Sequence, residues 1–447
     1  MKISTPICDF VKKYKKQNSI RAHVPGHKGK KLLGCEPFDI TEINGADELY
    51  SPNGIICQSE SNATTLFDCP TFYSTEGSSL AIRSMLYLVK QHALTNGKKP
   101  KFLATRNVHK SFLTGVGLLD IEVEWIYNKN SINFITCDLT SKYLNNYLEN
   151  CKKKPTALYL TSPDYLGNIL DIEKLAEVCH KFGVLLVVDN AHGSYLKFLN
   201  KSEFPIDLGA DMCCSSAHKT LPVLTGGAYL HLSKFLPKEI VYSAKSALSL
   251  FASTSPSYLI LQSLDYANKV LDERFKMDLD NFVNKVEKTK LSLIKYGYHL
   301  IGNDKLKIVI DAKKIGYLAS QLAQLLVDKK VYIEFADSDY LVLMLSPFNN
   351  LKELAKINKV LLSIPLKNEI TQEVLSPTKK IGKLSLAEVL NCTSEQVHLS
   401  DCLGRIYADF NLPCPPAVPM IMPGELIDEN AIKLFTYYDI TKVKVVK

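Results

Sequence analysis

The sequence predicts an α/β protein. Its large domain is expected to be built on a mostly parallel sheet, with a smaller α/β region toward the C-terminus. Short apolar runs at residues 101–105, 122–126, 157–162 and 184–189 alternate with helical periodicities such as 171–182, the rhythm of a doubly wound sheet. Val184 to Val188 is apolar without a break, as in a strand buried on both faces of a parallel sheet. Finally, a carboxylate, Asp189, and an amine, Lys219, follow strand-like runs, and open α/β sheets bind ligands outside the carboxyl ends of their strands.

Taken in order, residues 1–60 read as an N-terminal arm. Residues 5–17 pattern as a short amphipathic helix with Ile7, Phe10, Val11 and Tyr14 on one face. Residues 23–34 carry loop punctuation, with Pro25-Gly26 as the turn. His23 and His27 are four apart, but Pro25 and Gly26 break the helix that such a metal pair uses, so no metal site is assigned.

Residues 61–240 form the expected large domain. A helix over 79–91 carries Leu80, Met85, Leu86 and Val89 and follows Ser74-Thr75-Glu76-Gly77-Ser78-Ser79. Glycine lets the backbone approach a ligand, hydroxyls donate, and the helix start offers N–H groups, which suits a phosphate; an ordinary serine cap is the alternative. The Walker pattern GxxxxGK[ST] is absent. Residues 211–233 read as strand, turn, strand. Ser215, Ser216 and His218 precede Lys219, Thr220 follows it, and Gly226-Gly227 opens the return strand.

Residues 241–375 are expected to hold connecting helices over 256–297 and a small α/β domain. That domain reads as strand 306–311, helix 317–328, and strands 331–335 and 340–345. Residues 376–447 form a last region with a helix near 384–390. A loop over 413–423 follows, whose prolines restrict it to extended geometry.

Composition bounds the functional classes. Of 447 residues, 46% are hydrophobic and 22% charged, enough apolar material for a sizeable core. Twelve cysteines without a CxxC pair argue against a disulfide framework or zinc ribbon and for reduced thiols in the cytoplasm. The net charge is +8, partly from Lys12, Lys13, Lys15, Lys16, Lys28, Lys30 and Lys31. No nucleic-acid-binding signature accompanies these lysines, so a solvated face is expected and nucleic acid is not an expected partner. Asp9, Lys12 and Lys13 interrupt any signal-peptide core, and no run reaches the ~18 apolar residues of a membrane span.

Lys219 is the candidate reactive group. An amine at the end of an apolar strand, among small hydroxyls and a histidine, is placed for Schiff-base chemistry; a plain loop lysine is the alternative. Asp189 is costly to bury unless something cationic meets it; a helix cap or structural ion pair is the alternative. Together they suit pyridoxal phosphate (PLP), whose enzymes pair a Schiff-base lysine with an acid on the pyridine nitrogen.

Eight segments, in order, extend this reading. They are 21–29 (RAHVPGHKG), 39–56 (DITEINGADELYSPNGII), 72–79 (FYSTEGSS), 106–111 (RNVHKS), 188–193 (VDNAHG), 215–227 (SSAHKTLPVLTGG), 253–258 (STSPSY) and 413–425 (PCPPAVPMIMPGE). On these the chain resembles the bacterial-type, PLP-dependent Orn/Lys/Arg decarboxylases of the aspartate-aminotransferase fold, PLP fold type I. Within that family it looks like a short form lacking the N-terminal receiver-like domain.

The resemblance implies roles for particular residues. Lys219 would carry PLP, Asp189 would hold the pyridine nitrogen protonated, and Ala191 would lie beneath the ring. His109 would cover the other face and donate a proton; the residues alone favour a loop histidine capping a turn. Gly77, Ser78, Ser79, Ser216 and His218 would hold the phosphate, and His192 would contact the ring oxygen or substrate carboxylate. Glu425, with Asp47 and Glu48 behind it, would meet the distal cation of the substrate. Thr254, Ser255 and Tyr258 would serve the neighbouring subunit's cofactor in a homodimer or larger homo-oligomer.

The implied reaction is decarboxylation of arginine, lysine or ornithine to the amine or polyamine precursor. The alternatives are another PLP reaction, aminotransfer or lysis, and a catalytically silent scaffold. Glu76 stands where the family has Asn, Asn190 where it has Glu, and Ala417-Val418 where it has Gly-Ile; Thr225-Gly226-Gly227 lacks a polar residue common in that turn. These departures bear on the substrate more than on fold or cofactor.

Overall fold

The computed structural model describes residues 3–127, 133–371, 382–412 and 415–447. Pro413 and Cys414, where the proline-rich loop begins, lie outside the described residues. The strands of the large α/β region are β1 (Thr71–Ser74), β2 (Lys101–Thr105), β3 (Glu122–Ile126), β4 (Ala157–Thr161), β5 (Leu185–Asp189), β6 (Met212–Ser215) and β7 (Ala228–Leu232). The chain divides into two compact units. One holds Met1–Lys99 and Ile172–Asp278, the other Pro100–Asp171 and Leu279–Lys447.

In the first unit β5 pairs parallel with β6, while β6 with β7 and β7 with β1 are antiparallel. Asp189 lies opposite Cys214, Ser215 opposite Tyr229, and Ser74 opposite Ala228. The carboxyl ends of β1, β5 and β6 therefore share one edge. Leu186, Val187 and Val188 are fully buried, which accounts for the unbroken apolar run. The helix Gly77–Thr95 packs on β6 and β7 and buries Leu80, Met85, Leu86 and Val89.

The expected N-terminal helix is Pro6–Lys16, with proline in its first turn and Lys13, Lys15 and Lys16 in its last, matching the polarity of a helix. It buries Ile7, Cys8 and Val11 and packs on helices Ile55–Phe67 and Tyr258–Val270. Asp265 on the latter accepts the Cys8 N–H (2.9 Å) and the Ser59 hydroxyl (2.6 Å), satisfying a helix-start donor. His23 and His27 take separate partners, Tyr14 (2.7 Å) and Asp39 (3.1 Å). Among the described residues no group of three or more His, Cys, Asp or Glu is placed to hold a metal, and no helix is long and apolar enough to cross a membrane.

In the second unit β2 pairs parallel with both β3 and β4. A separate antiparallel sheet contains β8 (Leu300–Ile301), β9 (Lys307–Asp311), β10 (Phe335–Ala336) and β11 (Tyr340–Met344), ordered β10-β11-β9-β8. Val309, Phe335 and Val342 of this sheet share a core with Phe134, Ile135 and Leu166. The strand expected at 331–335 shrinks to Phe335–Ala336. The reason is the end of helix Ala319–Asp328. Lys330 adopts φ 59°, and the N–H groups of Lys330 and Val331 turn back to Val327 and Leu326, so helix closure uses those residues.

The C-terminal region holds helix Leu386–Asn391, whose Ser385 and Glu388 form a capping box, and a ribbon of β12 (Ser394–His398) with β13 (Lys442–Val446). Buried Asp164, just beyond β4, accepts two bonds from Asn168, while the Lys307 amine donates to its backbone oxygen at 2.7 Å. Burial pushes the Asp164 carboxyl up to about 6.

Candidate active site

In the first unit, loops from the shared strand edge converge on Lys219. Asp189 closes β5 and is 2% exposed. Its Oδ1 accepts the Ala191 N–H (3.1 Å) and the Cys214 thiol (3.4 Å). The thiol stays protonated, since burial and then Asp189 raise it well above the usual thiol range. Beyond β6, the expected turn is wound into a one-turn helix, Ala217–Thr220. Within it the Lys219 Nζ lies 2.7 Å from Nε2 of buried His192. His218 Nδ1 lies 3.1 Å from the Gly227 carbonyl.

The start of helix Gly77–Thr95 joins this cluster. Ser216 donates its hydroxyl to Ser78 (2.8 Å), and the Gly77 N–H donates to the Gly226 carbonyl (2.7 Å). Gly226 has φ 97°, and a Cβ there would stand 3.0 Å from the Thr75 oxygen, so this approach of two backbones requires glycine. Ser79 is the next residue of the same helix start. The Glu76 carboxylate, adjacent to these hydroxyls, accepts the Ser253 N–H at 2.7 Å and so ties down the loop carrying exposed Thr254 and Ser255. Asn190 donates to Ser215 (3.1 Å), and Ala191 is small and 8% exposed.

These groups fit a phosphorylated pyridoxal. A lysine amine, a buried strand-end carboxylate, and serine hydroxyls at a helix start match its aldehyde, ring nitrogen and phosphate. Lys219, Asp189, His192, Ser78 and Ser216 are all in this one unit.

Asp47 and Glu48 are also in the first unit. Asp47 collects the N–H groups of Glu48, Asn53, Gly54, Ile56 and Cys57, which organises the loop leading into helix Ile55–Phe67. Tyr258 donates its phenol to the carbonyls of Ala46 and Asp47. Glu48 is exposed and accepts the Tyr50 N–H at 3.3 Å.

The second unit holds His109 and Glu425. His109 caps helix Lys110–Leu119, with its Nδ1 accepting the Ser111 N–H (3.1 Å) and lying 2.9 Å from the Ser111 hydroxyl. A ring nitrogen that accepts a backbone N–H carries no proton, so in the neutral ring the proton sits on Nε2.

The expectation that Glu425 awaits a substrate cation meets a carboxylate with a partner already in place. Arg106 grips both of its oxygens, at 2.6 and 2.9 Å. Tyr127 donates to it at 3.1 Å and the Met422 N–H at 2.8 Å. Burial alone pulls the Arg106 guanidinium down, and Glu425 with Tyr127 more than reverses that, so the guanidinium stays charged. The Lys110 N–H also donates to the Ala417 carbonyl (2.9 Å), fastening the departure Ala417-Val418 beside the His109 loop. The sequence reading missed Arg106 as a functional residue. Its partner lies 319 positions away, and no local spacing announces such a pair.

Comparison with known proteins agrees with this architecture. The Orn/Lys/Arg decarboxylase major-domain model matches residues 5–295, and the corresponding C-terminal-domain model matches 367–444. The arginine decarboxylase of Bacillus subtilis (strain 168) is 27% identical over 468 aligned residues, covering 96% of this chain and 92% of that protein. The lysine decarboxylase of Francisella novicida has a TM-score of 0.79 at 16% identity, with 100% of this chain and 81% of that one covered. Serine palmitoyltransferase of Sphingomonas wittichii has a TM-score of 0.55 at 14% identity, covering 80% of this chain and 83% of that one. These two likenesses are of fold, PLP fold type I. From the strand-edge cluster around Lys219 and the two family matches, the chain belongs to the Orn/Lys/Arg decarboxylase family and is a PLP-dependent amino-acid decarboxylase.

Proposed function

We propose that the chain decarboxylates a basic amino acid, with arginine the first substrate to test among arginine, lysine and ornithine, releasing CO₂ and the matching amine for polyamine synthesis. The observation that carries this is the Lys219 amine held at 2.7 Å from His192, in the loop that follows Asp189 at the end of β5. Full-length similarity to a protein named arginine decarboxylase supports arginine. When bound, PLP supplies the electron sink for the carbon–carboxylate bond. Lys219 anchors it, Asp189 keeps the ring nitrogen protonated, and Gly77, Ser78, Ser79, Ser216 and His218 hold the phosphate. His109, with its proton on Nε2, is equipped to donate one.

Of the three candidate carboxylates for the distal cation, Glu48 is our choice. Glu425 is paired with Arg106, and Asp47 is occupied by backbone N–H groups. Exposed Thr254 and Ser255 support a homodimer in which this loop serves the partner's cofactor. The free thiols among the described residues support a cytoplasmic setting.

The test is a panel of arginine, lysine, ornithine and a neutral amino acid, with CO₂ quantified and amines identified by mass. We expect equal CO₂ and amine from a basic amino acid, arginine fastest. Keto acid without CO₂ would mean aminotransfer. No product despite bound PLP would mean a silent scaffold.

A further inference from the structure

We propose that His192 is the proton acceptor for Lys219, so that the amine reaches the cofactor's aldehyde uncharged at neutral pH. This rests on Lys219 being the cofactor lysine. The two nitrogens are 2.7 Å apart. A lysine ammonium has only donors and so does an imidazolium, so two protonated groups cannot share that contact. One nitrogen must offer a lone pair, and the pair holds one proton fewer than two charged groups would. Nε2 is then the lone-pair atom facing the ammonium, or the donor facing a neutral amine, and the proton moves between them along the existing hydrogen bond.

The surrounding residues of the same unit fit this assignment. Asp189 accepts from Ala191 and Cys214, and His218 is directed to the Gly227 carbonyl. The elements packed against the Lys219 turn contribute Tyr195, Lys197, Tyr229 and His231. Lys197 is paired with Asp207 at 2.8 Å. Burial raises the Tyr229 phenol and lowers His231 to about 3, so both stay uncharged at neutral pH. His192 itself is 6% exposed, which keeps bulk water from serving freely as the base.

The step balances without a further reactant. The ammonium gives a proton to His192, and the amine lone pair forms the new C–N bond. The aldehyde oxygen leaves as water with the two remaining amine protons. The proton held on His192 returns to the new C=N nitrogen.

The experiment measures how fast the cofactor-stripped full chain takes up PLP, followed by absorbance above about 400 nm, for the parent and for His192→Gln across pH 6.5–10.5. A free lysine is neutral in only about one molecule in a thousand at pH 7.4. We therefore expect His192→Gln to load at least about tenfold more slowly there, within the range for a lost proton acceptor, with the gap closing near pH 10. Added imidazole should restore His192→Gly at neutral pH. Equal profiles for parent and variant would overturn the proposal, as would a deficit of the same size at every pH, the mark of a purely structural role.

A second measurement needs no PLP: competitive acetylation of Lys219 by acetic anhydride, read by peptide mass. Its reactivity should follow the same pH displacement, and an unchanged profile would also overturn the proposal. If the parent takes up no PLP, or borohydride marks another lysine, the cofactor assignment of Lys219 fails, and acetylation still decides the proton question.

Discussion

Glu425→Gln is the substitution that best separates a structural carboxylate from a substrate-binding one. The parent side chain is 4% exposed and its Arg106 partner 12%, with two charge-assisted bonds at 2.6 and 2.9 Å. Removing one partner of such a pair leaves the other charge buried, at a cost of about 3–5 kcal/mol. With an unfolding entropy of about 2.1 cal/mol/K per residue, a chain of 447 residues should lose about 3–5 °C in Tm. Scanning calorimetry at pH 7.5 measures this directly. The double replacement Arg106→Met with Glu425→Leu removes both charges and should recover most of the loss. If Glu425 instead met the substrate, the Tm would stay put and KM for the basic amino acid would rise. A Tm within 1 °C of the parent, or a double variant no better than the singles, would refute the ion-pair reasoning.

Asp189→Asn keeps an oxygen for the Ala191 N–H but removes the charge proposed to hold the ring-nitrogen proton; we expect PLP to remain bound and turnover to fall about 10²-fold or more, and turnover within twofold of the parent would remove the role. Folded Asp164 keeps its proton up to about pH 6, the unfolded chain only to about pH 4, so between them the folded state binds more protons and stability rises as pH falls. Asp164→Asn should therefore lose roughly 1 kcal/mol of the stability gain between pH 7.5 and pH 5, seen as a flatter urea midpoint against pH. Mixing Lys219→Ala chains with chains mutated at Thr254 and Ser255 should restore part of the activity, since one site of a mixed homodimer would be intact; no recovery despite subunit exchange would mean that each chain builds its site alone.

Much of the fold was legible because burial writes itself into local pattern. A strand covered on both faces must be apolar throughout, and 184–188 is. The helices over 79–91 and 171–182 announced themselves by period and appear as Gly77–Thr95 and Ile172–Lys181. The strand expected at 331–335 was misread because β-propensity ignores how a preceding helix ends, and Lys330 in a left-handed conformation is not a signal that lysine carries.

Residue type and strand-end position marked Lys219 and Asp189, because that chemistry needs an amine and a carboxylate at the sheet edge. The sequence by itself thus determined the α/β class, the order of the main elements and PLP as the cofactor to expect. Tertiary structure decided which groups are already paired. It brought Nε2 of His192 to the Lys219 amine, Glu76 to the Ser253 backbone, and Arg106 to Glu425. A carboxylate reads the same in a sequence whether it faces a ligand or an arginine 319 positions away; only folding, by removing both from water together, makes one the partner of the other.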